Sequence, residues 1–159
     1  MSTKIKVGDK AQDFTLPDID MNPRELKDFL GQKIVLAFSV DAFTSRCTKE
    51  ICEFRDFISR LVDLNVQIIG ISANDPFTNT DFAEKNRVVF PVLWDYRRQV
   101  SKTYGLESEN FAVNESYSVP KRSIFILDSK GLVQYVWSSG NPAVEPNYQE
   151  IQMKIKEII

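Results

Sequence analysis

The chain has 159 residues, 43% hydrophobic and 26% charged, with two cysteines and no histidine; that is enough for one domain over residues 1–159 with a full core, and too apolar for disorder. The missing imidazole excludes Ser-His-Asp and Cys-His hydrolases, HExxH metalloproteases, His-ligated zinc or haem and any histidine general base, so a nucleophile here must be a cysteine with its own lowered pKa. The 20 basic and 22 acidic side chains leave a formal charge of −2, which offers no basic footprint for nucleic acid.

From the N-terminus, MSTKIKVGDKA has no apolar h-region, and the longest apolar stretches are strand-sized. A cytoplasmic protein without a membrane span is therefore expected. Asp13–Leu16 predicts a short strand stopped by Pro17, and Glu25–Leu30 a short helix ended by Gly31. Lys33–Val40 (KIVLAFSV) is nearly continuous in apolar residues, as a strand buried on both faces requires. A polar loop, Asp41–Arg46, precedes Cys47–Leu64, where Ile51, Phe54, Phe57, Ile58, Leu61 and Val62 recur at helical spacing. Val66–Ser72 (VQIIGIS) is a second buried-type strand, and Asn74-Asp75-Pro76 opens a helix ending near Asn86.

Val89–Leu93 predicts a strand interrupted by Pro91, and Arg98–Tyr104 a short helix with Gly105 at its C-cap. Ser123–Leu127 and Leu132–Trp137 flank Asp128–Gly131 (DSKG) and predict a β-hairpin. Pro146–Ile158 carries Tyr148, Ile151, Ile155 and Ile158 on one stripe of a C-terminal helix. The alternation predicts an α/β three-layer sandwich, and the late hairpin makes its central sheet mixed. This is the element order of a thioredoxin-like fold with an N-terminal extension and an insertion.

Cys47 stands after a buried strand, at the start of a predicted helix, with Arg46 and Lys49 nearby in sequence. The helix dipole and the unpaired N–H groups of a first turn stabilise a thiolate, and the carboxyl end of a strand is where open α/β sheets place their sites. Taken alone, Cys47 fits an inert packed thiol as well as a nucleophile. Arg122 alone reads as a solvated surface residue, and Thr44 alone as a turn or helix-start residue.

The string Val40-Asp41-Ala42-Phe43-Thr44-Ser45-Arg46-Cys47-Thr48-Lys49-Glu50-Ile51-Cys52 resembles the peroxiredoxin active-site motif P-x-x-x-T-x-x-C. Phe90-Pro91-Val92-Leu93, Pro120 to Asp128 (PKRSIFILD) and Asn141 to Pro146 (NPAVEP) are similar to the same family, in the same order. The last of these, with the CTKE run, most resembles the AhpE-type branch; a second cysteine five residues after the first is a PrxQ-type trait. The resemblance implies a thioredoxin-like fold, a peroxidatic nucleophile at Cys47, a Thr44 hydroxyl bonded to the thiolate and peroxide, Arg122 beside the thiolate, and Glu50 orienting that arginine. It implies no cofactor and no metal. Its partners would be hydrogen peroxide or small organic hydroperoxides and a thioredoxin-like dithiol protein, and a homodimer is the expected assembly, with Phe43 of the active-site loop near the dimer contact. Val40 stands where the motif has proline; it keeps apolar bulk but not the fixed φ, which puts the loop's rigidity in question.

For Cys52 two readings stay open, a resolving thiol and a structural helix residue, the second leaving a one-cysteine peroxiredoxin recycled by an external thiol. On an intact helix residues five apart have Cα atoms about 8–9 Å apart, whereas a disulfide needs under about 7 Å, so a Cys47–Cys52 bond requires the first turns to unwind. Peroxide reduction needs a thiolate and donors aimed at the two oxygens, and no separate base, which suits a chain without histidine. The competing classes are a redox-sensing module that does not turn over and a metal site on C-x4-C; the latter has no further Cys or His to complete it.

Overall fold

The computed structural model describes residues 5–38, 49–56, 64–108, 119–139 and 144–158. Its central sheet has the strand order β5-β4-β3-β8-β9, formed by β3 (Lys33–Phe38), β4 (Val66–Ser72), β5 (Val92–Trp94), β8 (Arg122–Leu127) and β9 (Val133–Ser139). β3 runs parallel to β4, with Lys33 opposite Val66, and β4 parallel to β5; β8 is antiparallel to β3, with Phe38 opposite Ser123, and to β9. The sheet is mixed, as the late hairpin predicts.

β3 lies at the centre because it can be buried on both faces. Ile34, Leu36 and Phe38 join Ile69, Ile71, Phe125 and Leu127 in one core, while Val35 and Ala37 join Ile68, Ile124 and Ile126 in the other. The first core is closed by the N-terminal segment through Phe14, Leu16, Leu26 and Phe29, and by α3 (Gln99–Thr103) with Val100 and Tyr104. The second is closed by helical residues 49–56 (α1) through Ile51 and Phe54, by α2 (Pro76–Lys85) through Phe82, and by α4 (Tyr148–Glu157) through Ile151 and Ile155. Helix, sheet and mixed layer make the expected three-layer arrangement. Among the described residues no helix is long and apolar enough to cross a membrane.

Several boundaries differ from the sequence expectations. The first strand starts two residues later than expected and includes Pro17 as its last residue: β1 (Thr15–Pro17) pairs antiparallel with β2 (Pro23–Glu25), Pro17 opposite Pro23. A two-stranded ribbon tolerates proline because each strand has an open edge. Its turn depends on Asp18, whose Oδ1 accepts from Asp20 N at 2.9 Å and Asn22 N at 3.0 Å while Met21 takes φ +65°. The short helix is a 3-10 turn, Leu26–Phe29, followed by Gly31 at φ +99°. The strand expected across Pro91 begins only after it, because proline has no N–H to donate; the Pro91 carbonyl still accepts from Gly70 N at 2.9 Å.

α3 starts one residue late, after Arg98 in the left-handed region at φ +55°, with the buried Asp95 carboxylate accepting from Val100 N and Ser101 N. A short ladder, β6 (Glu107–Ser108) with β7 (Val119–Pro120), was not expected. Of the long helix expected over Cys47–Leu64, residues 49–56 are helical and Leu64 lies in a 3-10 turn; residues 47, 48 and 57–63 lie outside the described residues, as do residues 39 and 40 of the strand expected to Val40.

Candidate active site

Side chains alternate across a strand, so Arg122 at the start of β8 shares the side of Ile124 and Ile126. That side faces α1. Because β8 is antiparallel to β3, and Ser123 lies opposite Phe38, Arg122 stands at the carboxyl end of the central strand, the edge where α/β sheets bind ligands. Glu50, on the first described turn of α1, meets it there: Arg122 Nη1 donates to Glu50 Oε2 at 2.8 Å, with the two side chains 1% and 0% exposed.

A charge pair this deep is costly to desolvate. Burial pushes the Glu50 carboxyl up to about 7 from an ordinary value of 4.5; the Arg122 charge and hydrogen bond pull it down by less, and the nearby Glu145 carboxylate adds to the rise. Glu50 Oε1 has no hydrogen-bond partner among the described residues.

The start of α1 is tied from outside by the segment before α4. Lys49 Nζ lies 3.1 Å from Glu145 Oε2, the Tyr148 hydroxyl donates to Glu145 Oε1 at 3.2 Å, and the Tyr148 ring meets Phe54 edge-on with centroids 5.8 Å apart. Half a turn beyond Glu50, Cys52 is a free thiol, half-buried, whose Sγ lies 3.5 Å from Asn86 Oδ1 on the C-cap of α2.

The structure thus brings together two of the residues expected in the site, Arg122 and Glu50, and sets Cys52 on the same helix. Cys47, Thr44, Val40 and Phe43 lie outside the described residues. Residues that the sequence did not single out are Glu145 and Asn86. Glu145 lies in the NPAVEP segment, where nothing local marks it as a partner of Lys49, and Tyr148 reads in sequence only as part of an apolar stripe. Asn86 was visible only as a helix end, since its partner Cys52 is 34 positions away.

Residues 7–136 match the AhpC/TSA family. The chain is a peroxiredoxin of that family. It is 34% identical over 133 residues to peroxiredoxin Bcp of Escherichia coli, covering 84% of this chain and 85% of that protein. It is 35% identical over 136 residues to the chloroplastic peroxiredoxin Q of Triticum aestivum, covering 86% of this chain but only 60% of that longer protein. Among solved structures, peroxidoxin BcpB from Mycobacterium tuberculosis superposes with a TM-score of 0.85 at 30% identity, covering 98% of this chain and 99% of that one. A peroxiredoxin-like protein from Aquifex aeolicus gives 0.84 at 26%, covering 98% and 88%. The thioredoxin-like peroxiredoxin fold agrees with the five-stranded mixed sheet described above. Thiol-dependent peroxidase activity, an oxidoreductase chemistry acting on peroxides with thioredoxin-type reductants, comes with this peroxiredoxin's membership.

Proposed function

We propose that the peroxidase reaction runs through Cys47, with Thr44 and Arg122 as donors to the reacting oxygens, Glu50 orienting Arg122, and Cys52 closing the cycle. The observation that carries this reading is the buried Arg122–Glu50 pair at the carboxyl end of β3, 2.8 Å long and shut off from solvent. A buried guanidinium held by a buried carboxylate is a preorganised donor, and such donors act most strongly where water is excluded.

In the first step the Cys47 thiolate attacks the terminal oxygen of the hydroperoxide. An S–O bond forms and the O–O bond breaks. The hydroperoxide's own proton passes to the departing oxygen, which leaves as water or alcohol, and the sulfenate takes a proton from solvent to become sulfenic acid. In the second step the Cys52 sulfur attacks the Cys47 sulfur; the S–S bond forms and the hydroxyl leaves with a proton as water. A thioredoxin-like dithiol then reduces the disulfide by exchange. Hydrogen peroxide and small organic hydroperoxides are the substrates of this reading, with no cofactor and no metal in any step.

The chain acts as one domain over residues 1–159, a reading supported by the span of the family match and of the superposed relatives. A cytoplasmic location is supported by the thiol-based cycle, which suits a reducing compartment, and assembly as a homodimer rests on the resemblance alone.

The test is peroxide consumption with a thioredoxin system. Cys47→Ser is expected to abolish turnover while leaving the fold intact by circular dichroism. Turnover retained in Cys47→Ser overturns the assignment.

A further inference from the structure

Asn86 ends α2, and its side chain folds back on that helix: Asn86 Nδ2 donates to the Phe82 carbonyl at 2.9 Å, beside its own backbone N–H on the same carbonyl at 3.1 Å. This fixes which way the amide faces. Turned over, it would set Oδ1 against the Phe82 oxygen, acceptor against acceptor, so Oδ1 is held outward. There it lies 3.5 Å from Cys52 Sγ, in place to accept from the thiol. The same residue holds α1 a second time: Arg55 Nη1 donates to the Asn86 backbone carbonyl at 2.7 Å, a cation on the carboxyl end of α2, where the helix dipole favours one. Cys52 and Arg55 are three apart, neighbours on one face of α1.

We propose that Asn86 is a positioning residue for the second step, a latch whose side-chain amide keeps the Cys52 thiol on α2 and so sets how readily α1 releases it. The inference rests on the reading that Cys52 resolves Cys47. On the helix that the sequence predicts from Cys47, a thiol is too far along the axis to reach a cysteine five residues earlier, so Cys52 leaves its place before the S–S bond forms, and the described contact it gives up is the one to Asn86. The Arg55 tie uses the backbone carbonyl and is available whatever side chain stands at position 86. The latch is weak by its chemistry, because a thiol is a poor hydrogen-bond donor, and a weak tie on a half-buried group suits a contact broken once per cycle.

The latch sets a competition. While Cys52 is held, the Cys47 sulfenic acid waits, and a second peroxide converts it to sulfinic acid. Loosening Asn86 therefore shifts the outcome from sulfinic acid toward disulfide without touching the first step. The experiment is acid-quenched rapid mixing of the full-length reduced protein with hydrogen peroxide, followed by alkylation and mass spectrometry. It measures the rate of sulfenic acid formation, the rate of Cys47–Cys52 disulfide formation, and the sulfinic fraction under excess peroxide.

In Asn86→Ala the first rate is expected to stay unchanged, the second to rise about two- to threefold, the low end of what one hydrogen bond gives, and the sulfinic fraction to fall. Asn86→Gly, a residue that helix C-termini accept, removes the same side-chain contact without adding a charge and is expected to show the same faster second step; that comparison stands by itself if Asn86→Ala does not fold. An unchanged or slower second rate in Asn86→Ala or Asn86→Gly overturns the latch and leaves the resolving role of Cys52 intact. A wild-type protein that forms no Cys47–Cys52 disulfide overturns both.

Discussion

Glu50 and Cys52 lie two residues apart on one helix and meet opposite surroundings. Glu50 points at the sheet, is fully buried, and is bound to an equally buried arginine. Cys52 is half-buried, and its described contact is a long one to the cap of a neighbouring helix. Breaking the first contact strands a charge in the core; breaking the second costs little. The difference assigns the labour within α1. While the helix is folded, one face keeps a guanidinium held at the carboxyl end of β3, and the other carries a thiol on a contact that is easily broken when the first turns unwind.

The largest break in that comparison comes from Arg122. Arg122→Ala is expected to lower the peroxidase rate constant of Cys47 by about 10²–10³, the usual loss for a transition-state donor, and to destabilise the fold by about 3–5 kcal/mol, since it leaves Glu50 buried alone. The double variant Arg122→Met, Glu50→Leu sharpens the point. Apolar replacement of a buried pair is often neutral or stabilising, so its urea midpoint is expected to recover toward wild type while peroxidase activity stays lost. Recovery of both would mean that the pair serves only the fold.

A smaller effect is expected from Glu50→Gln, which keeps the shape and loses the charge. Burial raises the folded-state value of Glu50 to about 7 from 4.5. The native protein then binds more protons than the unfolded chain between those values, and stability falls as pH rises through that window. This contribution is complete below about 4.5 and gone above about 7. The difference in unfolding free energy between wild type and Glu50→Gln is therefore expected to change across that window and to be flat above it, as denaturant titrations at successive pH values would measure. A constant difference at every pH would show that the carboxyl ionises normally.

Much of this frame is legible in the residues. The apolar runs of β3 and β4 and the DSKG hairpin follow from local pattern, because burial on both faces and a tight turn each leave a strong local signature. Arg122 is legible only through the motif around it; alone it looks like any surface arginine, although its two-residue spacing to Ile124 places it on a buried face once the strand is known. The β1–β2 ribbon was missed because its turn is made by one aspartate side chain, Asp18, rather than by a Gly-rich pair. Asn86 was missed because its meaning lies in a contact between helices distant in sequence, which no local periodicity encodes.

The central claim is that α1 carries both a fixed charge anchor and a releasable second thiol. The most direct measurement is mass spectrometry of the reduced wild-type protein after one equivalent of hydrogen peroxide. A loss of two hydrogens, with a cross-linked peptide joining Cys47 to Cys52, is the predicted result. A stable sulfenic acid on Cys47 with Cys52 still free to alkylate would contradict it.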